Sequence, residues 1–207
     1  MNLDYISSSW KEWEKQHIII RSCANLREWK LFLTLKDKKR HLKNPEWKSR
    51  FRSLGVQGYT QREIIVRELL NRFRMNLGIK RSNQFYWMAK HEFASNQNDP
   101  HIHVLIDFNR TLSQERLQNV LQPMKDGTWM QKEGFDLCFR LKNDPDLPIF
   151  IQDLEKARAY FGKDESQDTR SDKEIWSKKP PKVDGSLVFM SESFRKQIEN
   201  TKNFLPL

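Results

Sequence analysis

The stretch "NDPHIHVLIDF", residues 98–108, decides the predicted fold because its alternation gives one strand an apolar face and a polar face. Successive side chains of a β-strand point to opposite sides of the sheet. The apolar face is formed by Ile102, Val104, Ile106 and Phe108. His101 and His103 share the other face, with their backbones about 7 Å apart along the strand. We expect the apolar face to lie on the core.

The preceding run "NQFYWMAKHEFA", residues 83–94, predicts the strand that pairs with it. The intervening "SNQNDP" is rich in turn-forming residues, so the two runs predict an antiparallel hairpin. Packing the apolar alternate residues of the first strand on the core sends Glu92 to the histidine side. His91 becomes the competing residue if a bulge shifts the register.

The remaining patterns predict a chain that mixes strands and helices. Residues 29–36 alternate as a strand with Leu31, Leu33 and Leu35 on one face, and residues 134–142 indicate another strand. Helices are predicted for 60–78, closed by Gly78, for 112–122, for 148–164 with Pro148 at the first position, and for 191–204. The predicted fold class is α+β with a central antiparallel sheet.

Composition favours a polyanionic partner for this chain. Of 207 residues, 37 are Lys or Arg and 27 are Asp or Glu, so the net charge is +10. Nucleic acid is the leading candidate, ahead of an anionic membrane, and a merely solubilising surface is the alternative. The sequence contains no apolar run of about 20 residues, no signal-peptide core, no paired cysteine motif and no phosphate-binding Gly-rich loop. A cytoplasmic protein without a membrane span or an ATP-driven motor is therefore expected.

Two imidazoles and one carboxylate on the same face suit a divalent cation that holds a phosphodiester. We expect His101, His103 and Glu92 to bind Mn²⁺ or Mg²⁺ and to leave positions open for water or a phosphate oxygen. The alternative is a pair of exposed or hydrogen-bonded histidines with no metal. Tyr160 and Lys163 lie three residues apart on a predicted helix, where a tyrosine beside a cation is a candidate nucleophile; an ordinary surface pair is the alternative.

The segment "KDKKRHLKNPEWKSRFR", residues 36–52, combines basic side chains with interleaved aromatic ones. Such a composition suits contacts to the DNA backbone together with base stacking, whereas a solvated loop is the alternative. The DNA-contacting residues predicted in and next to this segment are Thr34, Lys36, Lys38, Lys39, Arg40, Trp47, Arg50 and Arg52.

In this order, "FLTLK" (32–36), "PHIHVLI" (100–106) and "YFGK" (160–163) resemble the three motifs of HUH endonucleases, specifically rolling-circle replication initiators with one catalytic tyrosine. The resemblance covers residues 29–165 and implies an RRM-like domain. In that domain the helices pack on one face of the antiparallel sheet, and the metal and tyrosine occupy the other. Residues 1–28 would form an N-terminal extension, and residues 166–207 a linker with a short helical tail.

The resemblance also implies a role for each site residue. His101 and His103 would bind the metal, and Glu92 would complete the site. Tyr160 would attack a DNA phosphate to give a 5′-phosphotyrosine link and a free 3′-OH, with Lys163 assisting at the phosphate or at the tyrosine proton. One extra residue separates Glu92 from the histidines compared with many members of the family.

The expected function is origin nicking and rejoining for a plasmid or phage in a prokaryotic host. The partner would be single-stranded origin DNA exposed by supercoiling or in a hairpin, and a host helicase would follow. A single-tyrosine transposase is one alternative. A non-enzymatic, basic DNA-binding repressor with structural histidines is the other.

Overall fold

The computed structural model describes residues 20–37, 61–92, 101–128, 135–140, 146–162 and 188–201. Within these ranges, the side chains of Asp37, Gln61, Arg62, His91, Glu92 and Thr201 are not described. Six of the eight predicted DNA-contacting residues, those between Lys38 and Arg52, lie outside the described ranges. Thr34 and Lys36 lie within them.

The described part of the chain contains a five-stranded antiparallel sheet in the order β4-β1-β3-β2-β5. The strands are β1 Leu31–Asp37, β2 Phe85–Glu92, β3 His101–Phe108, β4 Phe135–Cys138 and β5 Val188–Met190. The helices are α1 Gln61–Asn76, α2 Gln114–Asp126, α3 Leu154–Phe161 and α4 Glu192–Thr201, with a 3₁₀ turn at Ser82–Gln84 and a further helical stretch at 20–24. The predicted α+β class with an antiparallel sheet is confirmed.

The chain divides into two compact units. The smaller unit comprises Met1–Glu28 and Asp153–Lys182, and the sheet unit comprises Trp29–Gln152 and Val183–Leu207. All five strands and α1, α2 and α4 belong to the sheet unit, whereas α3 belongs to the smaller unit. No described helix is long and apolar enough to cross a lipid bilayer.

Helical connections explain the strand order. Both β1 and β2 run antiparallel to β3, which lies between them, so β1 and β2 are parallel to each other. Parallel strands cannot be joined by a tight hairpin, and α1 lies in the connection from β1 to β2. Similarly, α2 lies in the connection from β3 to β4, which are separated in the sheet by β1. As a result β3, which carries the histidine pair, is the central strand.

The core lies on the face of the sheet that the sequence assigned to it. It combines alternate residues of the strands with the apolar stripes of α1 and α2. Its members include Leu31, Leu33, Leu35, Phe85, Trp87, Ala89, Ile102, Val104, Ile106 and Phe108 from the sheet and Ile65, Leu69, Phe73, Leu117 and Leu121 from the helices. The alternation predicted for β1, β2 and β3 is therefore confirmed.

Helix ends follow local capping chemistry. Gly78 has φ of 74°, and the Ile79 and Gly78 amides donate to the carbonyls of Arg74 and Met75 at 3.1 and 2.9 Å. This is a Schellman ending, in which glycine adopts the left-handed conformation at little cost, as its position in the sequence predicted. At the start of α2, Ser113 accepts a hydrogen bond from the Arg116 amide at 3.1 Å.

The prediction that a helix begins at Pro148 is wrong, because α3 begins at Leu154. The Asp153 carboxylate caps the helix by accepting from the Lys156 amide at 2.9 Å. The preceding apolar residues pair with the sheet instead: Phe150 bridges Leu31, and the Ile151 amide donates to the Lys30 carbonyl at 2.9 Å. Local spacing cannot distinguish a buried helix segment from a short apolar run that extends a sheet edge.

Strand β5 was not predicted, and a serine joins it to both β2 and α4. The Ser191 amide donates to the Trp87 carbonyl at 3.0 Å, and the Ser191 hydroxyl accepts from the Phe194 amide at 3.2 Å. Phe194 packs edge-on against Trp29, with ring centroids 5.1 Å apart. A three-residue strand is too short to show an alternating pattern, so it could not be recognised from the sequence.

Candidate functional site

The two histidines lie side by side on the central strand, on the face opposite the core. Their ring centroids are 4.8 Å apart and the rings are inclined at 80°. His103 is 3% exposed, whereas His101, at the start of β3, is half-buried. The prediction that both imidazoles share one face is confirmed, and their spacing lets two ring nitrogens approach one small ion.

Thr34 fixes the orientation of the His103 ring. Strand β1 pairs Thr34 directly with His103, and the Thr34 hydroxyl oxygen lies 3.0 Å from His103 Nδ1. Phe32 also contacts this ring, with the centroids 5.1 Å apart. Thr34 was predicted to contact DNA, but its half-buried hydroxyl is engaged with the histidine. In this contact the hydroxyl and the ring nitrogen can each donate or accept, according to the tautomer of His103.

Lys90 is a feature of this face that the sequence analysis missed. It is paired with His103 across β2 and β3, and it is only 2% exposed. Lysine is rarely buried so completely, because transfer of an ammonium from water to the protein interior is costly. Its place on the histidine face follows from the sequence, since Lys90 lies two residues before Glu92, whereas its burial does not. The pairing with His103 therefore places a buried lysine on the histidine face of β2.

Lys36 marks the more open end of the same face. It is paired with His101 across β1 and β3, and its side chain is exposed. Around the histidine pair, His101 and Lys36 are therefore more exposed than His103 and Lys90. A cation at this position would attract an anionic backbone, and the DNA contact expected of Lys36 stays a prediction.

The backbone register places position 92, and not position 91, opposite His101 on β3. Glu92 is paired with His101, whereas His91 is paired with Ile102, which lies in the core. Residues directly opposite each other on antiparallel strands share a face. Among the side chains that the structure describes, no group of three His, Cys, Asp or Glu is arranged to hold a metal ion. The side chains of Glu92 and His91 do not belong to that set.

Another acidic residue on this face, Asp107, is unsuitable as a ligand. It lies four residues beyond His103, which corresponds to about 13 Å along a strand. Asp107 is 6% exposed and pairs with the Lys30 ammonium at 3.5 Å. The ion pair lies at the opposite end of the face, so Glu92 is by register the nearer of these two carboxylates to the histidines.

We predict that Glu92→Ala weakens Mn²⁺ binding by about 10-fold to 100-fold, whereas His91→Ala leaves it within about 2-fold. The reason is that the register puts only residue 92 on the histidine face. Isothermal titration with Mn²⁺ of the two variants and the wild-type protein measures the difference. Loss of affinity in His91→Ala alone would show that a bulge shifts the register at the end of β2.

Tyr160 lies on α3 in the smaller unit and is 48% exposed. The next residue, Phe161, is fully buried and anchors the helix. Arg158 anchors it further by donating to the Arg27 carbonyl at 2.7 Å and pairing with Glu155 at 2.7 Å. An anchored helix thus presents the tyrosine ring to solvent. Because α3 ends at Phe161, Lys163 lies beyond the helix on which it was predicted and outside the described residues.

The structure therefore brings together His101, His103, Thr34, Lys36 and Lys90 on the sheet, and it pairs the backbone of Glu92 with this group. Comparison of the chain with protein-family models, with curated proteins and with solved structures finds no match. The chemistry of these residues is accordingly the basis for assigning a function.

Proposed function

We propose that this protein is an HUH-type endonuclease that initiates rolling-circle replication of a plasmid or phage by nicking single-stranded origin DNA and rejoining it. The observation that carries the proposal is the pair of imidazoles 4.8 Å apart on the central strand. A second supporting observation is that "FLTLK" and "PHIHVLI" contribute adjacent strands, with Thr34 bonded to His103. Two of the three motifs named in the resemblance thus meet in one place.

The connectivity of the sheet unit supports the RRM-like part of the proposal. The chain runs β1, α1, β2, β3, α2 and β4, and the corresponding strands are ordered β4-β1-β3-β2. Split βαβ domains, to which RRM domains belong, have this succession of elements. On this interpretation β5 and α4 are additions to the β2 edge of a nucleic-acid-binding fold.

The metal would be Mn²⁺ or Mg²⁺, held by His101, His103 and Glu92. When bound, it would supply positive charge to neutralise the scissile phosphate. Two imidazoles and a carboxylate fit such a site because mixed nitrogen and oxygen ligands leave coordination positions open. Lys36, which is exposed on the same face, would add positive charge there.

Cleavage would be a transesterification by Tyr160. The phenolic oxygen, after losing its proton to water or to Lys163, bonds to phosphorus while the bond from phosphorus to the 3′ oxygen breaks. The 3′ oxygen takes up a proton and leaves as a free 3′-OH. The number of phosphodiester bonds is conserved, so the reverse attack by a 3′-OH rejoins the strand without ATP.

Binding to DNA would draw on the net charge of +10 and on the basic segment 36–52. Single-stranded DNA exposed in an origin hairpin is the expected substrate, with a host helicase acting after the nick. The reaction would take place in the cytoplasm of the prokaryotic host. Cuts that recur at both ends of a mobile element would instead indicate a single-tyrosine transposase.

A second candidate, a non-enzymatic DNA-binding repressor, is favoured by one specific observation. His103 and Lys90 are both nearly inaccessible, at 3% and 2% exposure. A buried histidine bonded to a threonine is also compatible with a purely structural role. In that case the basic segment would bind DNA and no covalent chemistry would occur.

Trapping the covalent product separates the two candidates. Purified protein is mixed with labelled single-stranded DNA from the region of its own gene, plus Mn²⁺, and then denatured. We expect an adduct that mass spectrometry maps to a tyrosine bearing a 5′-phosphate and that chelator prevents. DNA binding without any adduct would overturn the nickase proposal in favour of the repressor.

A further inference from the structure

We propose that Thr34 is a positioning residue that keeps His103 in the tautomer required for metal binding. The inference rests on the proposed function, because it assigns a role within the proposed metal site. The observation behind it is the 3.0 Å contact between the Thr34 hydroxyl oxygen and His103 Nδ1. If the hydroxyl accepts a hydrogen bond from the Nδ1–H group, Nε2 carries the lone pair that a metal needs.

The surroundings of His103 make Thr34 the suitable acceptor. Its two cross-strand neighbours are Thr34 on β1 and Lys90 on β2. The Thr34 hydroxyl oxygen lies 3.0 Å from Nδ1, and a hydroxyl has two acceptor lone pairs. Thr34 is therefore placed to accept a hydrogen bond from the Nδ1–H group.

The location of Thr34 also holds its side chain in a fixed position next to His103. It is half-buried in the middle of β1, and its backbone belongs to the ladders with both β3 and β4. A β-branched side chain on a strand has few accessible rotamers, so its hydroxyl is held in place. The contact of Phe32 with the same ring, at 5.1 Å between centroids, further limits rotation of the imidazole.

The test compares Thr34→Val, which keeps the shape but removes the hydroxyl, with Thr34→Ser, which keeps the hydroxyl. Thr111→Val is a matched control, because Thr111 is exposed and precedes α2 in the same unit. Full-length proteins are titrated with Mn²⁺. We expect Thr34→Val to lose about 10-fold to 100-fold in affinity, and the other two variants to stay within about 3-fold of wild type.

Nitrogen-15 NMR of the metal-free protein reports which nitrogen of His103 carries the proton. This would not change in the variant if Thr34 had only a structural role. We expect Nδ1 of His103 to carry the proton in the wild-type protein and in Thr34→Ser, and the two tautomers to mix in Thr34→Val. A wild-type His103 protonated on Nε2 alone would overturn the inference, whatever the metal titration shows.

The outcomes also separate this inference from the function on which it rests. Wild-type protein that binds Mn²⁺ while Thr34→Val binds it equally well would overturn the role of Thr34 and leave the proposed metal site intact. Wild-type protein that binds no Mn²⁺ would overturn both.

Discussion

Replacing His103 by alanine is expected to abolish Mn²⁺-dependent cleavage of single-stranded DNA, while salt-sensitive DNA binding persists. In the proposed site this imidazole is one of two nitrogen ligands, and its ring lies 4.8 Å from that of His101. Losing the metal removes charge neutralisation worth several kcal/mol, which corresponds to a fall in rate of about 10³-fold or more. Binding depends mainly on phosphate contacts elsewhere, so the salt dependence of the affinity should keep its slope.

His101→Ala is a second site variant, which shows whether the loss of cleavage in His103→Ala results from misfolding. His103 is 3% exposed, so its truncation leaves a cavity in the sheet unit, whereas His101 is half-buried and tolerates truncation better. Both variants should lose cleavage, although their melting temperatures differ. His17→Ala, at a histidine outside the three motifs and outside the basic segment 36–52, is the control. Full cleavage by both site variants after chelation and return of Mn²⁺ would contradict the metal assignment.

Alternation along three strands was enough to predict the core and the histidine face. The sequence shows period-two patterns for residues 31–35, 85–89 and 102–108, and the structure buries the apolar set of each against helices. Because side chains alternate between the two faces of a strand, placing one residue on a face places every other residue of that strand. The opposition of Glu92 and His101 follows from the same register.

Features that depend on tertiary partners could not be predicted from the sequence. Lys90 looks like an ordinary polar strand residue, and only the assembled sheet shows that it is 2% exposed. The apolar residues before Asp153 look helical, yet Phe150 pairs with Leu31, which is more than a hundred positions away. Strand β5 likewise exists because the edge of β2 is available to pair with it. Long-range pairing overrides local propensity at each of these places.

Tyr160→Phe is expected to eliminate the covalent adduct and leave both folding and DNA affinity nearly unchanged. The substitution removes only the phenolic oxygen, which is the atom proposed to bond to phosphorus. Since the side chain is 48% exposed, we expect the free energy of unfolding to change by less than about 0.5 kcal/mol. Adduct yield is measured on denaturing gels, and DNA affinity is measured by fluorescence anisotropy at two salt concentrations.

The chain has four tyrosines, so the loss must be shown to belong to this one. Tyr86→Phe is the matched control, because Tyr86 is half-buried on β2, opposite Asp107 and away from the histidines. It should form the adduct at the wild-type rate. An adduct that persists in Tyr160→Phe and maps to Tyr5 or Tyr59 would move the nucleophile to another segment while retaining the chemistry. An adduct lost in both variants would point instead to a general loss of DNA engagement, which the anisotropy measurement detects independently.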